Sequence, residues 1–407
     1  MTQLKCEIAV VGGGLAGYAT AIGFAAEGFD TALVAPAQGR PDGRSTALIG
    51  PSVAFLERIG VLDAVRERAA PMTKMRIVDD TNRLLRAPTL TFEAAEIGLA
   101  AFGFNILNAD LLAILHARAI DLAGRLTLVE GAARALTTDG GGAELALDHG
   151  ETISASLVVG ADGRNSLVRQ EAAIGLRDWA YPQSAIVLNF AHARAHGGTS
   201  TEFHTPTGPF TQVPLPGRMS SLVWVETPEA ADLIVDLKPE RLGEMIETHL
   251  HSILGAVTVD GPVQRFPLSG ATATRMTANR VALVGEAAHV FPPIGAQGLN
   301  LGLRDAAGIV AAASRHRDDP GSAAALLRYE AARRGDVASR TFGVDLLNRS
   351  LLAGYLPAQA ARTLGLSVMA AIPLLRRFAM REGVSPGAGL LGMPRSVTEG
   401  IGGKGPD

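Results

Sequence analysis

Short apolar runs alternate with amphipathic stretches along most of the chain. Residues 7–11 have the continuous hydrophobicity of a buried parallel strand, and residues 15–27 have the spacing of apolar positions that is typical of a helix. The strand pattern returns at residues 31–34, after a Gly-Phe-Asp turn. These three segments together predict a βαβ unit.

Later segments repeat and then change this pattern. Helical spacing covers about residues 51–69 and 109–123, and Asn108 or Asp110 is predicted to cap the second helix. From about 185 to 225 the segments AIVLNF, TEFH, FTQVPL and SSLVWV predict several strands separated by Gly, Pro and Ser. Single buried strands then return, so a β-rich part is inserted into an α/β domain.

The strands of the first kind return at two places, residues 157–160 and 281–285. The glycine run near residue 141 predicts a hairpin or a loop.

Composition narrows the class of protein. The chain has 407 residues, of which 47% are hydrophobic and 19% charged, as in ordinary globular domains. Its net charge of -3 gives no electrostatic basis for binding nucleic acid. The only cysteine, Cys6, lies in the first apolar run and is expected to fill the core. No apolar run reaches 18 residues and no signal peptide is evident, so we expect a cytoplasmic protein.

The first turn carries a dinucleotide-binding pattern. Gly12, Gly14 and Gly17 form G-x-G-x-x-G between the first strand and the first helix. The first glycine permits a tight turn, the second permits close approach of a pyrophosphate, and the third permits packing of the helix on the strand. The N-terminus of the helix then offers N–H groups and partial positive charge to the phosphates.

One residue departs from the usual pattern of this site. The second strand of such a fold usually ends in Asp or Glu, which binds the ribose hydroxyls, but here it ends in Ala35 and Pro36. Either water and backbone groups bind the ribose, or the adenosine half is held more loosely.

Two further glycine turns follow buried strands, in LVVGADGRNSLVR and in VALVGEAAHVFPPIGAQGLNLGLRDA. The order GxGxxG, GADG, GEAAH resembles the class A flavoprotein monooxygenases, which have the para-hydroxybenzoate hydroxylase-like fold. The last block, with RSTAL at Arg44, resembles more narrowly the hydroxylases of ubiquinone biosynthesis. Glu286 stands where that group usually has Asp, and Ala296 stands where it often has Gly.

The resemblance implies an α/β fold, in which a Rossmann-type FAD-binding domain carries an inserted β-sheet substrate domain and a C-terminal helical segment. The expected boundaries are 1–75, 101–180 and 265–345 for the discontinuous FAD-binding domain, 76–100 and 181–264 for the substrate domain, and 346–407 for the helical segment. By the same resemblance, the residues expected to bind FAD are Gly12, Gly14, Ala16, Gly17, Ala35, Arg44, Asn108, Asp162, Gly285, Glu286, Pro293, Gly298, Leu299 and Asn300.

The activity implied by the resemblance is hydroxylation of the aromatic ring of a polyprenylated phenol through a C4a-hydroperoxyflavin. NAD(P)H is the expected transient electron donor and O2 the co-substrate, and no metal is expected. The protein has to exclude water and hold the ring in line with the reactive oxygen. Two alternatives stay open: a hydroxylase of another, soluble aromatic substrate, and a weakly catalytic flavin-binding subunit of a biosynthetic complex. A plain NAD-dependent dehydrogenase would not need three such turns.

Three polar residues have two interpretations each. His289 either positions the substrate or flavin, as the one candidate catalytic side chain, or is a loop histidine bonded to backbone. Asn108 either contacts the flavin or caps its helix. Arg44 either bridges phosphate oxygens or is a solvated charge.

Residues 348–383 are apolar and carry several arginines, at 349, 362, 376, 377 and 381. This C-terminal segment either packs on the FAD domain as helices or docks on an anionic membrane or on other ubiquinone-biosynthesis proteins. The second interpretation places the protein at the inner face of the membrane as a peripheral protein.

Overall fold

The computed structural model describes residues 3–37, 43–81, 86–292, 297–352, 372–385, 388 and 392–402. The described strands are β1 (Gln3–Val11), β2 (Thr31–Ala35), β3 (Ser45–Ile49), β4 (Ala70–Met72), β5 (Lys74–Asp79), β6 (Leu90–Glu93), β7 (Gly103–Leu107), β8 (Leu126–Glu130), β9 (Ala133–Thr138), β10 (Ala143–Leu147), β11 (Thr152–Gly160), β12 (Leu176–His192), β13 (Thr199–His204), β14 (Pro209–Leu215), β15 (Met219–Glu226), β16 (Val257–Ala273), β17 (Thr277–Ala278), β18 (Val281–Leu283) and β19 (His289–Val290).

The described α-helices are α1 (Leu15–Ala26), α2 (Pro51–Arg58), α3 (Leu62–Arg68), α4 (Asn108–Asp121), α5 (Leu167–Glu171), α6 (Pro228–Val235), α7 (Pro239–His249), α8 (Gln297–Ser314), α9 (Ala323–Leu352), α10 (Pro373–Val384) and α11 (Arg395–Ile401). Short 3-10 turns lie at Ala94–Ile97 and Gly285–Ala287.

The first sheet has the order β17-β18-β11-β1-β2-β8, and β10 and β9 extend it from β11. Strands β18, β11, β1, β2 and β8 are parallel to one another. The end of β1 is fully enclosed by helices and neighbouring strands, which explains its unbroken run of apolar residues. The predicted βαβ unit and the α/β class are thereby confirmed, and the glycine run near residue 141 forms the predicted hairpin turn between β9 and β10.

The second sheet has the order β19-β16-β12-β15-β14-β13-β5-β6. Strands β12 and β16 are 17 residues long and pair from one end to the other, with two irregularities in register. Helices α6 and α7 cover one face, against which Ile186, Leu188 and Phe190 pack with Trp224. Because side chains alternate along a strand, Val187 and Asn189 point to the opposite face.

A small third sheet has the order β3-β7-β4, and its strands alternate along the chain with strands of the two large sheets. The first core gathers the inner faces of α1, α4, α8 and the first sheet, and Cys6 lies within it as expected. Burial raises the pKa of the Cys6 thiol to about 12. None of the described helices is both long enough and apolar enough to cross a membrane.

The predicted cap of α4 is wrong. Leu107 occupies the N-cap position, and no side chain in the described chain caps this end. Asn108 is already helical, and its Oδ1 accepts a hydrogen bond of 2.6 Å from the hydroxyl of Thr46 on β3. The side chain therefore bonds to a residue 62 positions away in sequence instead of capping its own helix.

The boundaries of the three parts of the chain stay a proposal. Strands β5 and β6 lie in the second sheet together with β12 to β16. Of the C-terminal segment, α10 and α11 are described, whereas residues 353–371, which carry Arg362, lie outside the described residues.

Candidate active site

The three glycine turns meet at one edge of the first sheet. Each follows the carboxyl end of a parallel strand, and the three strands β1, β11 and β18 are neighbours. Val11 pairs with Gly160, and Gly160 pairs with Leu283, so the strands end in register. Ligands of open α/β sheets bind outside the carboxyl ends of the strands. The topology therefore brings together three turns that lie far apart in sequence, at residues 12–17, 160–163 and 285–289.

The first turn has the shape that a bound pyrophosphate requires. Gly12 has φ of +123°, which only glycine adopts readily, and a Cβ on Gly17 would lie 1.8 Å from the carbonyl oxygen of Gly12. A Cβ on Gly14 would meet no described atom within 4 Å, so the open space lies directly over the N-terminus of α1. No side chain of the described chain caps that N-terminus. The free N–H groups and the open space fit the pyrophosphate of FAD.

The edge of the second strand lacks the ribose carboxylate, as the sequence indicates. Ala35 ends β2, and a Cβ on Gly13 would lie 2.6 Å from the Cβ of Ala35, so the space here is narrow. Glu130 is paired with Ala35 at the end of β8, and it is exposed. The usual ribose carboxylate ends the second strand, whereas Glu130 ends the neighbouring strand β8. Its carboxylate can accept hydrogen bonds from ribose hydroxyls.

The carboxylate of the second turn, on Asp162, bonds to residues that follow it closely in the chain. Asp162 accepts hydrogen bonds from Ser166 Oγ and from the backbone N–H of Val168, and thereby orders the start of α5. Its backbone lies against the first turn, because a Cβ on Gly12 would be 2.8 Å from the Asp162 nitrogen. The buried guanidinium of Arg169 donates to the carbonyl oxygen of Ala287 at 3.0 Å, which ties the second turn to the third.

The third turn packs against the first helix. Gly285 has φ of +60°, and a Cβ on it would lie 3.2 Å from the Cβ of Ala16. Its N–H donates to Asp305 Oδ2 at 3.1 Å. The side chain of Glu286 is exposed beside this turn. Ala16 and Gly285, both predicted to contact the cofactor, are thus in contact with each other.

The side chain of His289 bonds to a carboxylate and not to backbone. The residue lies in β19, its side chain is buried, and its Nε2 is 2.6 Å from Oδ2 of Asp305. The interpretation as a loop histidine bonded to backbone is therefore wrong. Strand pairing with β16 and the later helix α8 enclose the ring, and neither is visible in the local sequence.

Arg44, Asn108 and Asn300 lie around the small third sheet. The backbone N–H of Asn108 donates to the carbonyl oxygen of Arg44 at 2.9 Å, and the Arg44 guanidinium lies over the ring of Phe266 on the second sheet. Asn300 donates to the carbonyl oxygen of Ala47 at 2.7 Å and accepts from the N–H of Ile49 at 3.1 Å. Its side chain thus fastens the start of α8 to β3.

The start of α8 leaves room beside its backbone. A Cβ on Gly298 would meet no described atom within 4 Å, and Leu299 is half-buried beside it. Pro293 and Ala296 lie outside the described residues. The open backbone at Gly298 fits the predicted approach of a flavin ring to this helix.

Two charged residues without a role predicted from the sequence bond to each other beside the third turn. Asp305 is fully buried, and Arg333 on α9 donates from Nε to its Oδ1 at 2.8 Å. Asp305 lies eight residues into α8 and faces back to the third turn, so a strand-turn-helix reading of the block could have found it. Arg333 carries no such local signal.

Comparison with known proteins agrees with this site. Residues 5–342 match the FAD binding domain family. A ubiquinone hydroxylase, UbiL of Rhodospirillum rubrum, is 34% identical over 92% of this chain and 89% of its own. The 3-demethoxyubiquinol 3-hydroxylase of Escherichia coli is 33% identical over 94% of this chain and 99% of its own.

The fold has a solved counterpart in p-nitrophenol 4-monooxygenase PnpA of Pseudomonas putida, with a TM-score of 0.73 and 21% identity over 93% of this chain and 98% of that one. The fold and the site define an FAD-dependent monooxygenase. The chain belongs to the FAD binding domain family, and FAD is its cofactor.

Proposed function

We propose that this monooxygenase hydroxylates the aromatic ring of a polyprenylated phenol in ubiquinone biosynthesis, with O2 as co-substrate and NAD(P)H as electron donor. The names of the two relatives above support the substrate class. The observation that carries the proposal is the meeting of three glycine turns at the ends of β1, β11 and β18. A dehydrogenase that binds one dinucleotide at a single turn does not need this arrangement.

The residues of the three turns hold and orient the cofactor in this proposal. The N–H groups at Gly14 and the start of α1 bind the pyrophosphate, and Arg44 supplies a compensating positive charge. Glu286 accepts hydrogen bonds from ribityl hydroxyls, and the backbone of Gly298, Leu299 and Asn300 faces the flavin ring. When bound, the flavin supplies the redox chemistry that activates O2 for transfer of one oxygen atom to the ring.

The second sheet supplies the substrate side. The face opposite α6 and α7 presents Val187, Asn189 and Val223, and Phe266 on the same sheet is covered by Arg44. The Nδ2 of Asn189 donates to the carbonyl oxygen of Gly43 at 2.8 Å, which closes the segment before β3 onto the sheet. We place the aromatic ring between this face and the flavin, where the apolar side chains exclude water.

The test is the absorption spectrum of the purified protein, followed by anaerobic reduction with NADH or NADPH and then by mixing with O2. We expect flavin bands in the spectrum. We also expect a prenylated phenol to increase the rate of O2 consumption about tenfold, because the bound phenol excludes water and its ring is aligned with the flavin. Stimulation by unprenylated phenols alone would favour a soluble substrate. Bound flavin with no stimulation by any phenol would favour a weakly catalytic subunit, and failure to bind FAD would overturn the proposal.

We also propose that α10 makes peripheral contact with an anionic membrane. Three large apolar residues of α10 are exposed, namely Leu374, Leu375 and Phe378, and so is Ile372 immediately before the helix. Arg376 anchors the helix, since its Nε donates to Glu96 at 2.8 Å, and Arg377 is exposed beside the apolar side chains. An exposed apolar face with adjacent cations is the pattern of helices that lie in a lipid interface. A membrane contact gives access to a substrate with a long apolar tail.

We expect the double variant Leu374→Glu, Phe378→Glu to co-sediment with vesicles of phosphatidylethanolamine and phosphatidylglycerol about tenfold more weakly than the wild type, because it loses two apolar anchors and gains two negative charges. Leu233 on α6 is 73% exposed and far from α10 in sequence, so Leu233→Glu is the matched control and should sediment like the wild type. Equal sedimentation of both variants and the wild type would refute the contact and leave a protein partner as the occupant of this face.

A further inference from the structure

Two buried polar atoms on neighbouring strands lack a hydrogen-bond partner in the part of the chain that is described. They are Nδ1 of His289 on β19 and Oγ1 of Thr272 on β16. The two residues are directly opposite in the antiparallel pair, so their side chains share one face with Cβ atoms about 4.5–5.5 Å apart. Buried polar groups in proteins are almost always bonded. The two atoms do not bond to each other, so each of them leaves a hydrogen-bonding position for a further group.

The other side of the His289 ring is held by Asp305. Its Oδ2 accepts from His289 Nε2 at 2.6 Å and from the N–H of Gly285 at 3.1 Å, and its Oδ1 accepts from Arg333. Burial raises the pKa of Asp305, but the electrostatic contacts and hydrogen bonds with His289 and Arg333 outweigh burial and lower that pKa below its usual value. An ionised carboxylate only accepts hydrogen bonds, so the proton of the ring lies on Nε2.

A chain of charged groups lies behind Asp305. Arg333 also pairs with Asp336, which in turn pairs with Arg304 at 3.0 Å. These contacts hold the Asp305 carboxylate in place and, through it, the Nε2 side of the His289 ring. Nδ1 is therefore the ring atom to which a further group can bond.

We propose that His289 and Thr272 form a binding site for one hydroxyl group, with Asp305 as the positioning residue that orients the ring. The O–H group belongs either to a water molecule or to a hydroxyl of a bound molecule, the cofactor or the phenol. The site lies at the seam between the third glycine turn and the second sheet, because β19 follows Gly285–Ala287 and pairs with β16. This inference rests on the proposed function, which assigns FAD to the side of the third turn and the phenol to the side of the second sheet.

The direct test is NMR of the protein with 15N-labelled histidine, first without FAD, then with FAD, and then with a prenylated phenol. The signal that His289→Gln removes is that of His289. We expect a protonated Nε2 and an Nδ1 shift that indicates a hydrogen bond. That shift in the FAD-free protein identifies water, and its appearance only with FAD or only with the phenol identifies a hydroxyl of that molecule. An Nδ1 shift without a hydrogen bond in all three samples would overturn the proposal.

Thr272→Val and Thr272→Ser form a matched pair. Valine has the shape of threonine without the hydroxyl, so we expect it to move the Nδ1 shift and, where the bound hydroxyl belongs to FAD, to weaken FAD binding roughly fivefold. Serine keeps the hydroxyl and should restore both values to within about twofold of the wild type. Equal effects of the two variants would show that only packing matters at Thr272 and would overturn its role as a ligand.

Asp305→Asn tests the positioning residue. The amide keeps an acceptor for Gly285 and can fold in place, but it no longer requires the proton of His289 to lie on Nε2. We expect a mixture of ring tautomers in the NMR spectrum and FAD binding about tenfold weaker. If this variant fails to fold, His289→Gln, whose amide still donates toward Asp305, should weaken FAD binding as Thr272→Val does. Because the ring state is read without catalysis, a protein that fails to hydroxylate phenols but shows this state would refute only the proposed function.

Discussion

Gly14→Val is expected to abolish FAD binding without unfolding the protein. The backbone at Gly14 is extended with φ of -81°, which valine adopts, and an added Cβ meets no described atom within 4 Å. The same space lies over the N-terminus of α1, where the pyrophosphate is proposed to bind. A branched side chain there displaces the phosphates from the helix N–H groups, so we expect the Kd for FAD to rise by at least about 100-fold.

Gly17→Ala is the contrasting variant. Its Cβ would lie 1.8 Å from the carbonyl oxygen of Gly12, so the helix and the strand have to separate and the fold is lost. The measurement is FAD titration by quenching of flavin fluorescence, with thermal unfolding of the FAD-free protein as the control for folding. Wild-type FAD affinity in Gly14→Val would show that the first turn does not hold the pyrophosphate.

Arg333→Met is expected to destabilise the protein by about 3–5 kcal/mol. The arginine is 6% exposed and is the basic partner of the fully buried Asp305. Methionine fills much of the volume but leaves the Asp305 carboxylate without this partner in the core. Removing one partner of a buried ion pair costs more than the pair contributes, because the remaining charge stays buried.

Arg334→Met is the matched control for this variant, since Arg334 is the exposed neighbour on the same helix. Urea unfolding at pH 7 measures the free energy of unfolding of both variants. Asp305 has a lowered pKa, so its ionisation stabilises the fold above the ordinary value of 3.8, and this stabilisation is lost as the pH falls toward the lower folded value. Arg333→Met should flatten this acid dependence. A loss below about 1 kcal/mol would contradict the proposed importance of the buried pair.

The sequence predicted the parts of the fold that depend on neighbouring residues. The strand at residues 7–11, the helix at 15–27 and the strand at 31–34 all appear, because hydrophobic spacing and glycine conformation act within a few residues. The α/β class and the FAD site follow from the three glycine turns. The turns are recognisable one at a time, and the parallel order of their strands then requires them to meet at one edge.

The sequence failed where a side chain bonds to a distant residue. Asn108 has the local features of a cap, but its amide oxygen accepts a hydrogen bond from Thr46 on the neighbouring strand of the third sheet. His289 has the spacing of a loop residue, but Asp305 and strand β16 enclose it. Arg333 comes from a helix that no motif connects to the site. Such pairings depend on the packing angle between α8, α9 and the sheets, which residue spacing does not encode.

The paired strands β12 and β16 have a consequence for how this chain tolerates insertions. They run side by side for 17 residues and carry Asn189 near one end of the pairing and Thr272 near the other. Because side chains alternate, one inserted residue in either strand would turn every side chain beyond it to the opposite face. Either strand therefore tolerates insertions only of two residues at a time or as a β-bulge. Insertions of a single residue are expected in the loops at the ends of the two strands.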